Sequence, residues 1–207
     1  MRLPHPRLLV ITDRRQARAP LDQILAAAFD AGCRWASVRE KDLPSGEQIA
    51  LARRLLPLAR RHGATLTLHA EAPIAAEAGV DGVHLSAGAD AQAARALMGQ
   101  AALIGISVHA ADEAAALTAD SVDYAIAGPA YDTASKLGYG PVLGPGGIRT
   151  ICRASALPVL AIGGITAGGA AEMIRAGAAG VAVMGSLMQA GDPRAVARRL
   201  LEAISVR

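Results

Sequence analysis

Eight short apolar runs, separated by Ala- and Leu-rich stretches of helical periodicity, constrain this 207-residue chain more than any other feature. They fall near residues 8–12, 35–40, 65–69, 82–86, 103–108, 124–128, 158–162 and 180–184. Runs this short, each followed by a helix, suit parallel strands joined by helical crossovers. Eight such units close on themselves, so the expected fold is α/β: a single-domain (β/α)8 TIM barrel, one domain over residues 1–207. Leu21 to Ala31, Gly46 to Arg61, Ala111 to Thr118 and Pro193 to Ile204 read as helices. A phrase ending in Ala-Gly precedes the second, fourth and eighth runs, as Asp30-Ala31-Gly32, Glu77-Ala78-Gly79 and Arg175-Ala176-Gly177. Glycine at these places lets a helix end in a left-handed turn.

Apolar residues make up 52% of the chain and aromatic ones only 2%, so Ala, Leu, Val and Ile must fill the barrel. No uncharged apolar stretch has the length of a membrane span, and Met1-Arg2-Leu3-Pro4 starts no apolar signal segment. Cytoplasmic residence without a membrane partner is the expectation. Cys33 and Cys152 lack Cys-x-x-Cys spacing and read as free thiols rather than a disulfide or zinc site. The net charge of +3 and pI near 9.2 come largely from helical faces: Arg53, Arg54, Arg60 and Arg61, then Arg194, Arg198 and Arg199. With one Phe, one Trp and three Tyr, stacking platforms are scarce and no nucleic-acid partner is expected. The sequence leaves oligomeric state open, a homo-oligomer included.

Two glycine-bearing turns follow the last two runs: Ala161-Ile162-Gly163-Gly164-Ile165-Thr166 and Met184-Gly185-Ser186. Backbone N–H groups there can reach an anion without side-chain obstruction, and the loops after strands seven and eight are the usual phosphate site of such a barrel. Gly163, Gly164, Met184, Gly185 and Ser186 are therefore the phosphate candidates. After the second run, alternation sends Ser37, Arg39 and Lys41 to one side. Two cations aimed into a barrel suit an anion; the competing reading is a rim ion pair of Arg39 with Glu40 or Asp13. Thr133, Ser135 and Lys136, in the long loop after strand six, supply further donors for phosphate oxygens, and that loop has the length to close over a ligand. His69, His84 and His109 lie at or near strand ends, where imidazole serves as a proton carrier, a metal ligand or a hydrogen-bonded core residue.

Ile11-Thr12-Asp13-Arg14, Val38-Arg39-Glu40-Lys41, Asp81-Gly82-Val83-His84-Leu85, Gly105-Ile106-Ser107-Val108-His109, Asp123-Tyr124, the segment from Gly128 to Lys136, and Ala161-Ile162-Gly163-Gly164-Ile165 occur in that order. Together they resemble the successive signatures of the thiamine phosphate synthase/TenI superfamily over nearly the whole chain. In its synthase branch the resemblance implies that a hydroxymethylpyrimidine diphosphate loses pyrophosphate with the help of magnesium. The nitrogen of a thiazole phosphate then attacks the cation-like carbon. Gly163, Gly164, Gly185 and Ser186 would hold the thiazole phosphate, while Arg39, Lys41, Ser107, Thr133, Ser135 and Lys136 would face the leaving pyrophosphate. The small-molecule partners implied are thus a phosphorylated thiazole and a phosphorylated pyrimidine.

The chain also departs from that pattern. His69-Ala70 stands where the synthase carries Asn-Asp, Ala87-Gly88-Ala89 where it carries Gln-Glu-Asp, and Ser37 where it usually has Gln. The usual magnesium carboxylates are missing, and Glu71 and Asp90, one residue away, are the remaining candidates. The TenI branch holds a thiazole tautomerase that needs no metal, but its histidine after strand six corresponds to Pro129 here, leaving His69 or His109 as substitutes. Synthase-type condensation is the expected function, with the tautomerase as alternative and a catalytically silent thiazole-phosphate binder or regulator as the third option. Phosphosugar isomerases share the late phosphate loops but less of the remainder.

Overall fold

In the computed structural model, which describes residues 3–132 and 142–205, every expected apolar run becomes a strand. These are β1 (Leu8–Ile11), β2 (Trp35–Val38), β3 (Thr65–Leu68), β4 (Gly82–Leu85), β5 (Leu103–Val108), β6 (Tyr124–Ala127), β7 (Val159–Ile162) and β8 (Gly180–Val183). All pair in parallel in chain order, and β8 returns to β1 to close the barrel. Around it run α1 (Leu21–Asp30), α2 (Ser45–Arg61), α3 (Ala72–Ala78), α4 (Ala91–Met98), α5 (Ala111–Ala115), α6 (Gly144–Ala154), α7 (Ala167–Arg175), α8 (Gly185–Met188) and α9 (Pro193–Ser205).

Several strands stop short of their expected ends because residues such as Arg39 and Glu40 leave the ladder to build the rim. The fifth helix ends at Ala115 rather than Thr118. There the Thr118 carbonyl accepts from the Ser121 and Val122 N–H groups, and the Thr118 and Ser121 hydroxyls meet at 3.2 Å, which favours a turn over another helical turn. The Ala-Gly phrases do what their chemistry suggests: Gly32, Gly79 and Gly177 all have positive φ, at 111°, 70° and 105°.

Alternation splits the apolar residues into two cores. Leu8, Val10, Val38, Leu66, Leu68, Val83, Ile104, Ile106 and Val181 point outward to the helix layer. Leu9, Ile11, Trp35, Leu103, Tyr124, Ile126, Leu160 and Ala182 fill the barrel itself. The Trp35 and Tyr124 rings meet edge to face with centroids 4.7 Å apart. Both cysteines are free: Cys33 is buried against the Leu8 and Trp35 carbonyls, its thiol pushed up to about 11 by burial, and Cys152 is half-buried. The arginines of α2 and α9 named above are exposed, so the basic charge sits on solvated outer faces.

The Tyr124 ring occupies space that only glycine leaves on the neighbouring strand, since a Cβ on Gly105 would lie 2.1 Å from its Cζ. A ring locked between strands cannot yield cheaply in a close-packed interior. Gly105→Ala is expected to destabilise the fold by about 1–3 kcal/mol, the usual cost of overpacking, and pairing it with Tyr124→Leu should recover much of the loss. Denaturant midpoints of the single and double variants check this; equal midpoints for Gly105→Ala and the unaltered protein would contradict it.

Candidate active site

Each β-to-α connection lifts the residues just past a strand to the C-terminal mouth of the barrel. There a cavity of about 730 Å³ is lined by Arg39 and Lys41 after β2, His69 after β3, His84 and Ser86 on and after β4, and Ser107 and His109 on and after β5. Gly163, Gly164 and Thr166 after β7, with Met184, Gly185 and Ser186 after β8, complete the wall. The described phosphate candidates and the candidate cations thus face one space. Thr133, Ser135 and Lys136 lie outside the described residues. Two depressions at the opposite end, one around Asp81 and one around His5 and Arg7, gather no comparable set.

The backbone after β7 has little freedom. Gly163 and Gly164 have φ of +104° and +62°, and a Cβ on them would lie 2.9 Å from the Pro129 Cα and 2.5 Å from the Asp132 carbonyl oxygen. No other residue fits that turn without displacing the β6 connection. The β6 connection is itself tied down, because the Ala130 and Tyr131 N–H groups donate to the Ile162 and Gly163 carbonyls and the Tyr131 hydroxyl donates to Glu172. Thr166 caps α7, its hydroxyl accepting from the Gly169 N–H.

Three carboxylates beside β1 and β2 are held by their neighbours. Glu40, only 2% exposed, accepts from the Thr12 hydroxyl at 2.8 Å, from the Arg14 N–H at 3.1 Å and from the Arg14 guanidinium at 3.2 Å. Arg14 also binds Asp42 at 2.7 Å, and that hydrogen bond holds the Asp42 carboxyl below its ordinary range. Asp13 accepts from the Arg15 N–H and the Gln16 amide. The rim pairing considered for Arg39 with Glu40 is therefore not made: Arg14, arriving from β1, takes Glu40, and Arg39 forms no ion pair with a described carboxylate.

The histidines divide by environment. His84 is wholly buried, and its Nε2 meets the Ser107 Oγ at 2.9 Å. Burial, and then the charges of Lys41 and Arg39, push its pKa down to about 3, so the ring is neutral at physiological pH. Its Nδ1 has no hydrogen-bond partner among the described residues. A bare lone pair is tolerated more readily than an orphan N–H. The assigned tautomer therefore carries its proton on Nε2, donates to Ser107 and leaves the serine proton for another acceptor. The His69 ring lies against that of His84, centroids 4.8 Å apart. His109 donates from Nδ1 to the Gly128 carbonyl at 2.8 Å, which makes Nε2 the basic nitrogen of the neutral ring.

Glu71 and Asp90, the remaining magnesium candidates, do not reach this space. Both are exposed at helix starts, and Asp90 spends an oxygen on the Ala93 N–H as the cap of α4. Among the described residues no group of three or more His, Cys, Asp or Glu side chains has metal-holding geometry. The described cavity wall contains imidazoles, hydroxyls and cations but no carboxylate, whereas magnesium asks for hard oxygen ligands in near-octahedral array. The residues present do not fit the ion. Of the readings open to His84 in the sequence, proton carrier, metal ligand or hydrogen-bonded core residue, its full burial and its bond to Ser107 match the last; the pairing with Ser107 had no local signal beyond alternation along the strand.

Fold and site together define a (β/α)8 barrel of the kind whose mouth receives phosphorylated ligands. The family model for thiamine monophosphate synthase matches residues 8–187, and the chain belongs to that family. It is 39% identical over 202 residues to the thiamine-phosphate synthase of Roseiflexus castenholzii, covering 96% of this chain and 88% of that protein. It is 43% identical over 182 residues to the thiamine biosynthesis bifunctional protein ThiM/ThiE of Symbiobacterium thermophilum, covering 87% of this chain but only 38% of that longer protein. Among solved structures, thiamine phosphate pyrophosphorylase from Pyrococcus furiosus superposes with a TM-score of 0.84 at 29% identity, covering 96% of this chain and 95% of that one.

The buried neutral imidazole makes a pH prediction. From the ordinary value of 6.5 down to about 3, the unfolded chain accepts a proton at His84 that the folded chain refuses. The stabilising contribution is complete above 6.5 and falls by about 1.4 kcal/mol per pH unit below it. Between about pH 7 and about pH 5 the unaltered protein should lose about 2 kcal/mol more than His84→Gln in denaturant unfolding. Parallel pH profiles for the two proteins would contradict this assignment.

Proposed function

We propose that this chain is a single-domain thiamine-phosphate synthase, joining a hydroxymethylpyrimidine diphosphate to a thiazole phosphate with release of pyrophosphate. The observation that carries the reading is the meeting, around one cavity, of cations after β2 and glycine turns after β7 and β8. Family membership supplies the substrates.

In this reading the thiazole phosphate rests against the backbone of Gly163, Gly164, Gly185 and Ser186, with Met184 beside it. The diphosphate lies toward Arg39, Lys41 and Ser107, with Thr133, Ser135 and Lys136 contributing from the loop after β6. The methylene C–O bond breaks with its electron pair remaining on the diphosphate oxygen. The lone pair of the thiazole nitrogen forms the new C–N bond, and no proton, oxidant or reductant is required. Negative charge grows on the departing oxygen, so donors fixed in place beforehand stabilise the transition state more than the ground state. The apolar barrel floor excludes water that would otherwise capture the cation-like carbon.

One observation favours a tautomerase as second reading: His109 lines the cavity with its ring oriented by the bond from Nδ1 to the Gly128 carbonyl. Supplying the protein with both synthase substrates, and separately with the thiazole tautomer, decides between them. The synthase reading expects stoichiometric pyrophosphate and condensed product, with kcat/KM lowered about 10²-fold in Arg39→Gln and little changed in His109→Asn. Isomerisation abolished by His109→Asn or His69→Asn, without condensation, would replace it. Binding of thiazole phosphate with neither reaction would indicate a silent binder.

A further inference from the structure

We propose that the diphosphate substrate is received here as its metal-free anion, balanced by Arg39, Lys41 and the Ser107 hydroxyl rather than by a carboxylate-held magnesium ion. The proposal rests on the synthase reading and concerns the form in which that site takes its substrate.

The first ground is the donor set. A carboxylate facing a diphosphate repels it unless a divalent cation lies between them, so a magnesium-bridged site needs both partners. This cavity has only one side of that arrangement: two cationic side chains line it and no described carboxylate does. Several nearby carboxylates have other work, and Glu71 and Asp132, both exposed, are absent from the lining. Glu40 and Asp42 hold Arg14, Asp90 caps α4, and Glu113 accepts from the His109 N–H at 2.6 Å. The chain from 133 to 141, whose structure lies outside the described residues, contains no Asp or Glu at all.

The second ground is what replaces the missing acids. His84, buried beside the cations, stays neutral, so it neither cancels their field as a carboxylate would nor adds a buried charge of its own. By donating from Nε2 to Ser107 it keeps the serine proton available to a phosphate oxygen. Arg39 forms no ion pair with a described residue, and its backbone N–H is fixed to the Thr12 hydroxyl at 2.9 Å. The charge that develops on the leaving oxygen then falls on protein donors already in position, where each charge-assisted bond is about twice as strong as a neutral one.

Titration calorimetry of the full-length protein with inorganic pyrophosphate tests this directly, once in EDTA and once with excess magnesium. Binding is expected in EDTA, weakened by added salt, with magnesium leaving the affinity unchanged or lowering it by sequestering the ligand. Arg39→Gln and Lys41→Gln should each weaken binding in EDTA by about tenfold or more, while Arg198→Gln on the outer helix face should not. Circular dichroism melts establish that the variants are folded. Binding that appears only with magnesium overturns the proposal and leaves the synthase reading intact. Binding in EDTA without condensation activity supports metal-free recognition but overturns the synthase reading. Absence of binding under both conditions overturns the proposal.

Discussion

The pleat of a closed parallel barrel is the constraint on which everything else depends. With β8 paired to β1 there is no edge strand, so each strand must send one residue inward and the next outward. The outward set is aliphatic and anchors the helices. The inward set changes character along the barrel axis: Leu9, Trp35, Leu103 and Tyr124 make a dry interior, then His84, Ser107 and the strand-end cations make a polar mouth. A site built this way inherits the stiffness of the core beneath it, because Tyr124 fills the gap left by Gly105 and packs edge to face against Trp35 and, at 5.7 Å, against the tilted ring of His84.

Charge segregation follows from the same geometry. The register of β1 on β2, with Ile11 opposite Ser37, brings Thr12 and Arg14 beside Glu40. The acid most able to neutralise Arg39 is thereby consumed by a different arginine, and Arg39 and Lys41 are left bordering the cavity. Burial, together with their field, keeps His84 neutral, and the tautomer that leaves its unpartnered Nδ1 without a proton donates from Nε2 to Ser107. An acidic site with bound magnesium and a basic site without it are two electrostatic solutions for holding a diphosphate, and the described lining here carries cations and no carboxylate.

Much of this was legible in the chain itself, because short-range rules govern it. Apolar runs bounded by helical stretches gave all eight strands, Ala-Gly endings marked turns with positive φ, and of the residues that alternation places on one side, Arg39 and Lys41 line the mouth while Ser37 is buried below it. What escaped were contacts set by register between strands. Whether Glu40 meets Arg39 or Arg14 depends on how β1 slides along β2, and whether His84 meets Ser107 depends on His84 lying opposite Gly105; neither is encoded in local spacing. Asp90 misled for a related reason: a carboxylate just past a strand end is equally placed to approach a ligand or to cap the next helix, and the chain's approach to α4 decides for the cap.

The central claim is that two phosphorylated groups meet at one mouth of the barrel, each against its own set of donors. A crystal structure of the protein grown with thiazole phosphate and pyrophosphate tests it most directly. The account predicts the monophosphate against the backbone of Gly163, Gly164, Gly185 and Ser186, and the pyrophosphate within hydrogen-bond reach of Arg39 and Lys41. Either anion found instead on the outer arginines of α2 or α9, or at the opposite end of the barrel, would contradict it.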